Sequence, residues 1–239
     1  MGSPTRYKNG VTNVGAESPM SMLQVPDPTL MHVWYDDFDE YVAADWTVTE
    51  VGIATQALTD GDGGLLLITN AAADNDSSQN QKLGESFLLT AGKKAMFIAL
   101  LKVSDVTQSD FLIGLAVADT ALITAGGGAA GDGVTDGIFF EKDDGAATLD
   151  IYCQKDTTTG QTSATGIATL ANDTFVQLAW YYDGVSSLKY YVDNVHKGTL
   201  TASSTYLPDT ELTVSFSLMN GEAVAKTMTL DYILVAFER

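Results

Sequence analysis

Cysteine, histidine and positive charge are all scarce in this chain of 239 residues, which has a single cysteine, two histidines and 12 Lys plus Arg against 31 Asp plus Glu. A lone thiol closes no internal disulfide, so Cys153 gives no sign of an oxidising compartment. Its neighbours Ile151 and Tyr152 make it a buried thiol, not a nucleophile. The two imidazoles, His32 and His196, leave almost nothing from which to build a Ser-His-Asp arrangement, and both read as surface histidines. Zinc patterns of the His-Glu-x-x-His or paired-cysteine kind are absent. A formal net charge of −19 without any basic patch excludes nucleic acid as a partner. The acidic residues lie scattered among Gly, Thr and Asn, the composition of solvated turns. Long apolar runs are missing too: the longest, residues 95–101, falls far short of the roughly 20 residues a membrane helix needs. MGSPTRYKNG has no apolar stretch behind its basic residues, so a soluble protein with neither a secretory signal nor a membrane partner is expected.

What the chain does contain is period-two alternation. Residues 174–200, TFVQLAWYYDGVSSLKYYVDNVHKGTL, read as three strands separated by two turns. Val176, Leu178, Trp180 and Tyr182 share one face, expected to be a core face, and Leu188, Tyr190 and Val192 continue it. Asp183-Gly184 and Asp193-Asn194 supply the turns. About fourteen short strands and no amphipathic helix emerge, and the length suits one all-β domain of roughly 200–250 residues. The fold expected is an antiparallel β-sandwich over 32–239, preceded by an extended N-terminal arm over 1–31. Four of the five prolines, Pro4, Pro19, Pro26 and Pro28, fall in that arm. Its composition also suits a disordered tail.

Further along, Trp34, Phe38 and Trp46 read as aromatic anchors, and residues 60–64 as a turn ahead of a strand. AAADNDSSQNQKLGE reads as a polar connection. Residues 95–103 are apolar on both faces, as expected of a strand between two packed layers. In DFLIGLAVAD, Leu112, Gly114 and Ala116 make a flat side suited to close packing of another element. The stretch ITAGGGAAGDGVTDG is glycine-rich, but Gly126 to Gly133 lack the Gly-Lys-Ser/Thr ending of a phosphate loop, and it reads as a flexible surface loop. Asp144-Gly145 marks a hairpin, and TTTGQTSATG an exposed tip. In LTVSFSLMN, the face of Thr213, Ser215, Ser217 and Met219 is expected to be wet. Met228, Leu230, Tyr232 and Leu234 are expected in phase along the last strand.

Candidate chemistry is thin. Asp60 and Asp62 could ligate calcium, but the full Asp-x-Asp-x-Asp-Gly loop with its closing glutamate is missing, so the turn reading stands ahead. Asp36, Asp37, Asp39 and Glu40 crowd together after Trp34-Tyr35, and a solvated turn explains them better than a glycosidase acid pair. Tyr181, Tyr190 and Tyr191 could stack a sugar ring, although tyrosines at strand spacing more often support cross-strand packing. No catalytic, cofactor or metal residues are assigned.

WYYDGVSSLKYYVDNVHKGTL resembles the hairpin of concanavalin-like, laminin-G-like jelly rolls, with Trp180, Asp183, Gly184, Tyr191, Val192 and Asp193 carrying the match. DDFDEY and LDYILVAFER look like the first and last strands of that fold. Taken together with these, SPTRYKNGVTN, ALTDGDGGLLLITNAAADND, KVSD and GVTDGIFFEKDDGAATLD are similar to structural proteins of tailed bacteriophages, especially head-associated ones. The resemblance implies a capsid decoration or cement protein, made in the host cytoplasm and placed on the outer capsid surface of the virion. It also implies the major capsid protein as partner and a homo-oligomer with a trimer preferred; with no positioned nucleophile, metal site or acid pair, no enzymatic activity is expected. The arm, with Arg6, Tyr7 and Lys8 at its basic tip, would contact capsid or subunit. The alternative is a lectin-like module that contacts host-surface glycans.

Overall fold

The computed structural model describes residues 29–124, 133–156 and 160–239. The proposed arm contacts Arg6, Tyr7 and Lys8, and the centre of the glycine-rich loop, lie outside these residues. The strands are β1 Met31–Asp36, β2 Trp46–Val51, β3 Ala54–Thr59, β4 Leu65–Asn70, β5 Ser77–Lys82, β6 Ala95–Val103, β7 Ser109–Ala116 and β8 Gly137–Lys142. They continue with β9 Thr148–Lys155, β10 Gly160–Thr169, β11 Val176–Tyr182, β12 Ser187–Val192, β13 Val195–Thr201, β14 Thr213–Asn220 and β15 Thr227–Glu238. Among the described residues the only helical piece is the 3-10 turn Ala43–Asp45.

As expected, the architecture is an antiparallel sandwich. One sheet of eight strands runs β13-β12-β11-β6-β15-β4-β3, with β1 also paired to β15; the other, of seven, runs β10-β9-β8-β7-β14-β5-β2. The meander 174–200 forms β11, β12 and β13 with the anticipated parity: Leu178, Trp180, Tyr182 and Leu188 are buried. Its turns are built as their residues suggest. Asp183 Oδ1 accepts N–H bonds from Val185 (2.8 Å), Ser186 (3.0 Å) and Ser187 (3.0 Å), while Gly184 takes φ 84°. Asp193 and Asn194 sit at φ 50° and 60°, the pair of left-handed residues a tight hairpin needs. Between the sheets, Trp180 stacks on Phe97 at 6.1 Å and Trp46 meets Phe216 edge-on at 5.0 Å.

Expectations are corrected in both sheets. The polar connection is in fact β5, an inner strand between β2 and β14, and Ser77, Ser78, Gln79, Asn80 and Gln81 are all buried. Several of these side chains find partners inside the protein: Gln81 Nε2 donates to Ser215 Oγ and to the Val117 carbonyl, both at 2.9 Å. The face of β14 expected to be wet is dry, with Ser215 and Ser217 at 0% exposure. A second apolar cluster covers that outer face of the seven-stranded sheet, joining Leu112, Ala116, Phe139, Tyr152 and Met219 to Leu122, Ile123 and Val134, so the flanks of the glycine-rich loop are buried. Gly114 belongs to this layer as the small residue foreseen there: a Cβ on it would lie 2.4 Å from the Ile138 carbonyl oxygen.

Further corrections concern the eight-stranded sheet and an edge of its partner. β6 is covered on one face only: alternate residues are buried and half-exposed, so Met96, Ile98 and Leu100 face outward. β15 loses phase at a bulge between Leu230 and Tyr232. Met228 and Leu230 point into the core, but beyond the bulge Ile233, Val235 and Phe237 do so, while Tyr232 and Leu234 are only partly buried. The stretch read as an exposed tip enters β10 at Gly160, and residues 157–159 lie outside the described residues.

Candidate functional site

A cavity of about 410 Å³ opens along one side of the sandwich, where β1 of one sheet meets β2 and β5 of the other. β1 supplies Trp34, Tyr35 and Asp36; the following loop supplies Asp37, Asp39, Glu40, Val42 and Asp45; Trp46 and Lys82 close it. The loop takes its shape from one sharp turn. Asp36 Oδ1 accepts the Phe38 N–H at 2.9 Å, and Phe38 adopts φ 50°, which drives its ring fully into the core. The acidic residues on either side are left to line the cavity. Beneath it Gly64, at φ 156°, brings its backbone so close that a Cβ would sit 2.0 Å from the Phe38 carbonyl oxygen, which accounts for the glycines of the 60–64 turn.

The lining joins aromatic faces to acceptors. Trp34 and Trp46 meet edge-on at 6.1 Å, and the Lys82 ammonium stands 6.0 Å over the Trp34 ring. Burial raises the pKa of Asp36; the hydrogen bond from Phe38 works against this, and the charges of Asp39, Glu40 and Asp37 add to it. Burial and a hydrogen bond to Asp37 push the Tyr35 hydroxyl up to about 12. Five carboxylates and one ammonium thus border two indoles. The structure brings together Asp36, Asp37, Asp39 and Glu40, the group singled out in the sequence. It adds Asp45, from the short turn before β2, and Lys82, from β5, a strand whose polar composition reads as a loop.

Other candidates separate. Tyr190 turns inward at 8% exposure, whereas Tyr181 and Tyr191 face outward beside Met96 and Ile98, so the three tyrosines form no common platform. Among the described residues, no group of three or more His, Cys, Asp or Glu is placed to hold a metal ion, Asp60 and Asp62 included. His32 is partly buried: it stacks on Phe87 at 5.0 Å, and burial, then the charges of Arg239 and Lys82, lower its pKa. His196 is exposed beside Tyr191. Cys153 is fully buried, with its thiol pushed up to about 12 by burial, as the sequence reading held.

The outer face of the seven-stranded sheet also carries carboxylates that the sequence did not reveal, and each is tied to nearby groups. Asp110 Oδ1 accepts the Asp144 N–H, while Asp150 accepts the Gly166 N–H at 2.7 Å and the Tyr152 hydroxyl at 3.1 Å. Over the rest of this face, polar side chains hold the chain's own loop. Gln79 Oε1 accepts from the N–H groups of Leu122 and Ile123, Gln81 Oε1 from Asp119 at 2.8 Å and Glu85 Oε1 from Ala118 at 2.7 Å.

No family model and no curated protein sequence matches the chain. Solved structures do. The chain is similar to an endo-1,3-beta-glucanase from Streptomyces sioyaensis, at 15% identity and TM-score 0.62 over 89% of this chain and 98% of that one. It is similar to a protein of unknown function from Shewanella oneidensis MR-1, at 15% identity and TM-score 0.58 over 95% and 97% of the two chains. It is also similar to lectin II from Ulex europaeus, at 14% identity and TM-score 0.55 over 86% and 98%. At such identities the likeness establishes the fold, and the two antiparallel sheets described above are those of a concanavalin-like jelly roll.

Proposed function

We propose that the chain is a non-catalytic carbohydrate-binding module whose ligand enters the cavity beside Trp34. The observation that carries this reading is the pairing, in about 410 Å³, of two indole rings with several carboxylates and a lysine. Indole faces stack on the C–H surface of a pyranose, and carboxylates accept hydrogen bonds from its hydroxyls. The charge selects among sugars. Five carboxylates against one ammonium, on a chain of net charge −19, repel uronates and sialic acids and favour neutral or amino sugars. Turnover is not expected, because Asp36, the carboxyl with raised pKa, spends an oxygen on the Phe38 N–H and holds the loop's turn. A glycan array presenting neutral, amino and anionic sugars tests this. Signal confined to neutral or amino sugars, and lost in Trp34→Ala, is expected; binding of anionic glycans alone, or hydrolysis abolished by Asp37→Asn or Asp39→Asn, would refute it.

A second reading follows the sequence resemblance to head-associated proteins of tailed bacteriophages. One observation favours it. The outer face of the seven-stranded sheet is closed by the protein's own loop through Gln79, Gln81 and Glu85, as suits a structural module. On this reading the chain decorates a capsid as a homo-oligomer, a trimer by preference, with Arg6, Tyr7 and Lys8 in contact. Mass spectrometry of purified virions is expected to find the chain in stoichiometric amount; its absence from virions would remove the reading and leave the sugar site standing.

A further inference from the structure

Part of the outer face of the eight-stranded sheet, bounded by Lys189 and Gln177, is apolar where a solvent-facing sheet should be polar. Strand pairing sets Tyr35, Leu234, Ile98, Ala179 and Tyr191 side by side in a single row. In the next row Met96 and Tyr181 are paired. Of the chain's 31 acidic residues, none stands among these positions. Tyr35 is 52% exposed, the other six are partly buried yet still reach the surface, and a depression of about 300 Å³ opens between Met96, Ile98, Tyr181 and Tyr191. Adjacent strands lie about 4.8 Å apart, so the row is roughly 20 Å long, and two rows give a patch of some 300–400 Å². A stable contact with a second copy needs about 800 Å² from each partner, twice what the patch offers. An extended peptide of six residues, roughly 20 Å long, matches it.

The chain contains such a peptide. Residues 20–25, MSMLQV, are an apolar cluster that ends five residues before β1. Between them lie Pro26, Asp27 and Pro28, then a turn at Thr29 and Leu30. The Leu30 carbonyl accepts the Arg239 N–H at 2.9 Å, which pins the turn at the end of β15, the strand that carries Leu234. β1 itself borders the patch through Tyr35. Five linking residues span up to about 17 Å, enough to return from the turn onto the face. We infer that residues 20–25 lie across the outer face of their own eight-stranded sheet and place apolar side chains in the depression beside Tyr191. The patch meets the proposed sugar site at Tyr35, which borders both, and its other residues lie outside that cavity.

A photo-cross-linking residue, p-benzoylphenylalanine, in place of Ile98 or, separately, of Tyr191 in the full chain tests the inference at low micromolar concentration. Irradiation should give a monomeric product whose digest joins the probe to residues 20–25, and Leu23→Asp should cut its yield about tenfold or more. Cross-links to another segment or to a second copy, or none in a protein with native circular dichroism, would overturn it. Independently, Leu23→Asp in the otherwise unchanged chain should raise the fluorescence of an added naphthalene-sulfonate dye several-fold; unchanged fluorescence would also overturn it.

Discussion

Asp110 shows how little of a residue's electrostatics can be read from its neighbours in sequence. Burial raises its carboxyl from 3.8 to about 6, against a hydrogen bond from Asp144 and the nearby Lys142 charge. Between those values the native state holds a proton that the unfolded chain has released, so stability falls as pH rises from about 4 to about 6. Asp110→Asn should flatten that slope in denaturant midpoints measured across this window; an unaltered slope would show that other carboxyls set it. Lys142 acts in the opposite sense. Burial lowers it from 10.5 to about 8, so over that range stability rises with pH. Side-chain parity, by contrast, was legible: the alternation of 174–200 placed Trp180 and Tyr190 inward and Tyr191 outward. In the cavity, Asp36 to Glu40 were visible as a cluster, while Asp45 and Lys82 join them only through tertiary packing.

Strands whose solvent exposure follows their chemistry were found in the sequence, and those that break this rule were not. β5, Ser-Ser-Gln-Asn-Gln-Lys, has the composition of a loop, yet it is a buried strand in which Gln79 and Gln81 bond the 117–124 segment and Ser215 in place of water. The same bonds dry the outer face of β14. Gln79→Ala would leave the Leu122 and Ile123 amides without their acceptor, at a cost of about 1–3 kcal/mol. Hydrogen exchange at those amides should therefore quicken about tenfold or more, while amides of β6 and β11 keep their protection. Equal protection in the variant would mean that the apolar contacts of Leu122 and Ile123 hold the loop unaided. β15 escaped for a different reason: a single extra residue at Asp231 moves every later side chain to the opposite face, and no composition rule announces a bulge.

At the scale of the molecule, the sequence led to the sandwich because strand periodicity and turn chemistry agree over most of the chain. It did not lead to the cavity, which exists only where the edges of two sheets come together. The fold alone leaves function open, since a glucanase and a lectin share it with this chain. The acidic, indole-lined cavity narrows the choice, and it remains after the outer face of the seven-stranded sheet is filled by the protein's own loop. The central claim is that Trp34 and the neighbouring carboxylates bind an uncharged or amino sugar without cleaving it. Isothermal titration of the full chain, of Trp34→Ala and of Asp39→Asn with a neutral oligosaccharide, followed by chromatography of the recovered sugar, tests that claim most directly. The account predicts saturable binding by the full chain, affinity reduced about tenfold or more in Trp34→Ala, and intact oligosaccharide throughout. Equal affinity in both variants, no heat of binding to any neutral or amino sugar, or shortened products would contradict it.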